Sequence, residues 1–147
     1  MKRTSLKESS CPVARALDSI GDWWSLLIIR DAFDGMRRFG EFQKSLGVAK
    51  NILAARLRRL SADGILELAP SSDGSAYQEY VLTEKGQDLF PVIVGLRQWS
   101  EAYFYGPKEH HSVLLDRSGN HPIRRLEVKS RDGKVLKPND TYVRKVR

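Results

Sequence analysis

Cations and one carboxamide crowd the stretch AKNILAARLRRLSADGIL, residues 49–66, where Lys50, Asn51, Arg56, Arg58 and Arg59 all precede the first acid, Asp63. Such side chains have a defined chemistry against nucleic acid. Guanidinium and ammonium groups match phosphate oxygens and the acceptor pair of guanine, and a carboxamide matches the donor and acceptor of adenine. The spacing places these groups on a helix. Leu53, Leu57 and Leu60 recur at three- and four-residue steps and line one face. Asn51, Ala55 and Arg58 then fall on the opposite side, with Lys50 and Ala54 flanking them toward the helix N-terminus. Base reading is expected of Lys50, Asn51 and Arg58, and phosphate holding of Arg37, Arg38, Arg56 and Arg59. Lys44 adds a cation on the preceding helix. A solvated amphipathic helix would have the same pattern, so the surrounding chain has to decide.

Cys11 is the single cysteine. It has no partner for an internal disulfide, and it cannot build a cysteine metal site. It stands at the start of a helix near Arg15, among unpaired amides and beside a cation. Those are surroundings in which a thiol reacts with oxidants; the other reading is a small buried apolar residue. His110, His111 and His121 lie in a turn-rich stretch without metal-site spacing, so no metal and no other cofactor is expected. The chain also lacks a plausible Ser/His/Asp set, a phosphate-cradling glycine loop and paired carboxylates in an apolar setting, which argues against an enzyme. Trp23, Trp24 and Trp99 read as packing and dimer residues rather than a ligand cage.

The elements that must position these groups are legible to about residue 105. SCPVARALDSI is a short helix, with Ser10 as its candidate N-cap, Pro12 in its first turn and Val13, Leu17 and Ile20 on one face. Asp22 can cap WWSLLIIRDAF, which is apolar on most sides and reads as a central helix. FGEFQKSLG is a third short helix, and the basic fourth follows after a very short turn, the order of a helix-turn-helix. ILELA, PSSDGS and AYQEYVL then read as a β-hairpin. Thr83 caps a last long helix, EKGQDLFPVIVGLRQWSEAYF, in which Pro91 marks a kink or the effective start. Its apolar residues cover more than one stripe, and a second copy of the chain is the expected cover for Phe90, Ile93, Leu96, Trp99 and Tyr103. The remainder reads as two or three short strands with a turn at Asp132-Gly133.

The chain has 147 residues and a formal charge of +7, unevenly divided: +6 over residues 1–59, −5 over 60–106 and +6 over 107–147. A basic first third ending in the quoted helix is an electrostatic footprint for a polyanion. The arginines of the last third serve either solubility or nucleic-acid contact. No apolar run has the length of a membrane helix, and Pro12, Arg15 and Asp18 interrupt any signal-peptide core, so a cytoplasmic protein without membrane contact is expected.

Two segments, CPVARALDSIGDWWSLLIIRDAFDGMRRFGEFQKSLGVAKNILAARLRRLSADGIL and YVLTEKGQDLFPVIVGLRQW, resemble the HxlR-type bacterial transcriptional regulators, relatives of the MarR group. The likeness covers residues 11–104, with RRFGEF, NILAARLRRL and YVLTEKG its most specific parts. It implies a mainly α, α+β winged helix-turn-helix with a long C-terminal dimerisation helix. Residues 1–106 would form that domain and residues 107–147 a small β-rich appendage. The resemblance further implies a homodimer joined through its first and last helices, binding double-stranded DNA with the recognition helix, Ala49 to Ser61, in the major groove and Leu66 to Tyr80 as the wing. It also implies a cysteine before the first helix that senses oxidants in several members, here Cys11. Two features depart from the pattern. Family wings are commonly arginine-rich, whereas this one carries Glu67, Asp73 and Glu79 and no cation between Arg59 and Lys85, so a weak grip on DNA is expected of it. Extended relatives carry a cysteine-containing ribbon where this chain has Ser118, Lys129 and Asp132, and no zinc is expected. The alternative from another class is a winged-helix protein-interaction module that has lost DNA binding. Operator, target genes, direction of regulation and any small-molecule effector are not encoded legibly in one chain.

Overall fold

The computed structural model describes residues 4–146. Its elements run α1 (Pro12–Ile20), α2 (Trp23–Phe33), α3 (Phe39–Leu46), α4 (Lys50–Ala62), β1 (Leu66–Pro70), β2 (Gln78–Leu82), α5 (Glu84–Gln87) and α6 (Phe90–Tyr103). The chain divides into two compact units, one ending at Phe90 and the other beginning at Pro91, so that α6 groups with the tail. Sequence reading had put the domain boundary after residue 106.

In the first unit α2 is the central element, packed on α1, α3, α4 and β2. Asp22 starts it by accepting from the Ser25 amide at 3.0 Å and the Ser25 hydroxyl at 2.6 Å, which satisfies donors that a helix start leaves unpaired. Ile28 and Ile29 of α2, Phe42 of α3, Leu53, Leu57 and Leu60 of α4, and Ile65 and Leu66 at the wing base make the core. Gly47 closes α3 in the left-handed conformation, φ 62°, a backbone state that glycine adopts without steric cost. That turn lets α4 begin only three residues later, completing a helix-turn-helix.

The wing is an antiparallel pair in the register Leu66↔Leu82 through Pro70↔Gln78. Its base is stitched to the end of α4 by the segment YVLTEKG. The Thr83 hydroxyl donates to the Gly64 carbonyl at 2.5 Å and accepts from the Gly86 amide at 3.1 Å, while Lys85 Nζ donates to the Asp63 carbonyl at 2.6 Å. Gly86 is required by close approach, since a Cβ there would lie 2.3 Å from the Ile65 carbonyl oxygen.

Three expectations are corrected. The N-cap of α1 is Cys11, not Ser10, and it is Ser9 whose hydroxyl accepts from the Cys11 amide at 3.0 Å. Trp23 is 73% exposed and Trp99 56% exposed, so neither is a core residue, and on α1 only Ile20 of the expected apolar face is buried. The last helix has its effective start at Phe90 with Pro91 in the first turn, one of the two outcomes expected of that proline, and Asp88 and Leu89 separate it from the short α5. The tail is not β-rich: its described residues contain two isolated bridges, Leu115↔Pro122 and Lys129↔Val135, and a short 3-10 turn at Pro138–Asp140.

Within the second unit the tail is held to α6 by side chains. Gln98 donates from Nε2 to the Arg124 carbonyl at 3.0 Å and accepts at Oε1 from the Leu126 amide at 2.7 Å, so its carboxamide pairs as a neighbouring strand would. Arg97 donates to the carbonyl and hydroxyl of Ser112, both at 2.9 Å.

Candidate nucleic-acid interface

Helix α4 buries Leu53, Leu57 and Leu60 and exposes Lys50, Asn51, Ala55 and Arg58. Lys50, Arg58, Lys44 on α3 and Arg37 before α3 form no ion pair with any described residue. Uncommitted cations on the exposed face of the second helix of a helix-turn-helix are what contact with a polyanion requires.

Three other cations from the same group are engaged by the protein's own acids. Arg56 Nε lies 3.3 Å from Asp22 Oδ2. Arg59 reaches Asp63 Oδ2 at 2.9 Å, the Asp18 carbonyl at 2.9 Å and Asp18 Oδ2 at 3.3 Å, which fastens α4 to α1. Burial opposes ionisation of Asp63, but the Ser19 hydroxyl at 2.6 Å and Arg59 outweigh it and hold its carboxyl below the ordinary value. Sequence reading had grouped Arg56 and Arg59 with the phosphate holders. Their position on the half-buried flank of α4 gives them intramolecular partners instead.

Arg38 is tied to the wing. Its guanidinium donates to Asp73 Oδ2 at 2.6 Å and to the Ser71 hydroxyl at 2.7 Å, and its Cζ lies 5.6 Å from the centre of the Tyr77 ring. The bond to Asp73 is foremost in raising the Arg38 pKa. The Asp73 carboxyl is pushed well below the carboxylate range, first by the Ser71 hydroxyl, then by the Ser75 amide and Arg38. Glu79 is also turned inward: it accepts from the Ser72 amide at 2.7 Å, and that bond foremost lowers its pKa, with the charges of Arg37 and Arg38 adding to it. The Tyr80 amide donates to the Arg37 carbonyl at 2.7 Å. Asp73 therefore latches the wing to the start of α3 through Arg38, while Glu79 is engaged within the wing itself, so two of the three wing acids already have partners in the protein. Ser71, Asp73 and Tyr77 were missed as partners of Arg38. The available signal was an acid within a turn facing two consecutive arginines, and only the hairpin register shows that they meet.

Cys11 is exposed. Arg15 beside it directs Nε to the Ser9 carbonyl at 2.5 Å. Among the described residues no three His, Cys, Asp or Glu side chains come together as a metal site. No helix among them is long and apolar enough to cross a membrane.

A tri-helical core, a short turn into an exposed basic helix and a following hairpin define a winged helix-turn-helix. The chain belongs to the HxlR-like helix-turn-helix family, whose model matches residues 19–108. An HTH-type transcriptional regulator of Mycobacterium tuberculosis is 45% identical over 120 residues, 78% of this chain and 73% of the relative. Among solved structures, the transcription-factor candidate PA1607 is 56% identical with a TM-score of 0.91, covering 97% of this chain and 100% of that one. The redox regulator HypR in its oxidised form is 33% identical with a TM-score of 0.58, covering 65% and 100%. The protein is thus a transcriptional regulator with a helix-turn-helix domain, from a family of regulators rather than enzymes.

Proposed function

We propose that this protein is a homodimer that binds operator DNA sequence-specifically, with α4 in the major groove and Lys50, Asn51 and Arg58 reading base edges. The observation that carries this reading is the division of α4 into a buried leucine face and an exposed face of Lys50, Asn51 and Arg58 without intramolecular ion pairs. Arg37 and Lys44 hold phosphates, and Arg38 does so by exchanging Asp73 for the DNA backbone. Exposed apolar residues support a second copy as partner. They are Val13 and Leu17 on α1, and Phe90, Leu96, Trp99 and Tyr103 on α6, where Ile93 is half-buried.

Selection of bound fragments from the source genome supplies the operator, and binding isotherms of wild type and Asn51→Ala on operator and random duplex test the reading. Loss of a base reader costs about 1–3 kcal/mol on the operator and leaves random duplex nearly unchanged. Equal weakening of both duplexes overturns the assignment. Absence of any salt-dependent duplex binding favours the protein-interaction reading instead.

Thiol regulation at Cys11 is a finer part of the proposal, supported by its exposure at the head of α1 and by the likeness to a redox regulator. Diamide or a quinone then releases wild type from DNA and leaves Cys11→Ser bound. Equal release of both proteins shows that the thiol has no sensing role.

A further inference from the structure

A cavity of about 510 Å³ opens between the end of α2, the loop into α3 and the strand β2, within the first unit. Its size is that of sites for ring-bearing small molecules, roughly 300–1,000 Å³. Phe33 and Phe90 form an aromatic wall, with ring centres 5.3 Å apart and planes tilted by 58°. Met36 and Tyr80 extend the apolar lining, and Arg37 and Gln87 supply the polar groups. Glu79, the acid whose ionisation Arg37 favours, has Oε1 engaged by the Ser72 amide and forms no ion pair with Arg37. A cation without an ion pair beside aromatic walls matches a ligand with a flat ring and one negative charge, because the rings bury the ring face and the guanidinium can donate two parallel N–H bonds to a carboxylate.

We infer that this cavity is an effector site for an aromatic monocarboxylate. Occupancy reaches the DNA face through Arg37, whose carbonyl accepts from Tyr80 and whose guanidinium would serve either ligand or phosphate. That consequence rests on the reading of Arg37 as a phosphate anchor; the binding itself does not.

The probe is 2-naphthoate, with 2-naphthalenemethanol as its neutral counterpart, each titrated against the full chain without DNA by ligand fluorescence. The acid is expected to bind at least tenfold tighter than the alcohol. Arg37→Gln removes that preference and Arg37→Lys keeps it. Ala32→Phe, which puts a ring into the lining, weakens both ligands at least tenfold, with circular dichroism confirming that the variants are folded. No binding at millimolar acid, equal binding of acid and alcohol to wild type, or an unchanged preference in Arg37→Gln overturns the site. In a second arm saturating 2-naphthoate lowers duplex affinity several-fold; duplex binding untouched by bound ligand overturns the effector role. Should duplex fail to bind even without ligand, the DNA reading has failed while the titrations without DNA still decide the site.

Discussion

Arg38 and Asp73 hold each other at the wing tip, so a phosphate can take Arg38 only by displacing a carboxylate already 2.6 Å away. Both side chains are partly exposed, and exposed pairs of this kind contribute little to stability. The exchange is therefore energetically accessible. Asp73→Asn is expected to raise affinity for operator and random duplex alike and to steepen the salt dependence by about one unit, as a gained phosphate contact does. The gain should vanish when Arg38→Ala is already present. A gain that survives in the double variant would show that Asp73 acts by its charge alone and not through Arg38.

The Asp73 latch and the bond from the Ser72 amide to Glu79 set a pH dependence. Asp73 and Glu79 have folded pKa values below their ordinary ones, so their contribution is complete above the unfolded values, about 3.9 and 4.3, and is lost as pH falls through the lower folded values. The Ser72 and Ser75 amide resonances should stay constant from neutral pH to about pH 4 and move only below it. Movement centred at the ordinary carboxylate values, about 3.9 and 4.3, or above them would mean that the carboxylates are not held as the structure places them.

At the scale of elements, close packing at Gly86 and the clasp of Gln98 have different consequences. Gly86→Ala forces a methyl group against the Ile65 carbonyl, and overpacking of this kind costs about 1–3 kcal/mol in denaturant unfolding. Gln98→Ala removes two bonds to the tail backbone at residues 124 and 126. Trypsin should then cut after Arg124 or Arg125 markedly faster while the first unit unfolds at the same denaturant concentration. An unchanged cutting rate would show that the clasp does not order the tail.

These elements also mark how far sequence could be read. The leucine spacing of α4, the Asp22 cap of α2 and the hairpin were legible because each depends on neighbours within a few residues. Pro91 was legible as a break or start for the same reason. The Arg38 latch joins residues 35 apart, and the Gln98 clasp joins residues 26 and 28 apart, so neither leaves a local pattern. The tail was misread as strands because alternating apolar residues such as Leu126 and Val128 meet the periodicity of a strand without the partner that would make one. Arg56 and Arg59 were expected to hold phosphates, because spacing assigns a face but not an ion-pair partner.

For the whole molecule, the decisive quantity is how many copies engage DNA. A single helix-turn-helix offers α4 to one major groove, whereas a twofold pair offers two, about 34 Å apart on the duplex. Linking the second contact to the first raises affinity by about 10²–10⁴ without any new type of bond. On α6 the side chains available for such pairing are Leu96, Trp99 and Tyr103, all exposed, and a charge placed among them should oppose pairing while leaving the core of the first unit untouched. Trp99→Glu is thus expected to be a folded monomer by light scattering at micromolar concentration. Its affinity for a two-half-site operator should fall by about 10²-fold or more, and its salt slope should fall to about half, since half the phosphate contacts are lost. On a duplex carrying one half-site, wild type and variant should bind alike. A wild type that is itself monomeric, or a monomeric variant that keeps full operator affinity and slope, would mean that pairing through α6 contributes nothing to DNA recognition.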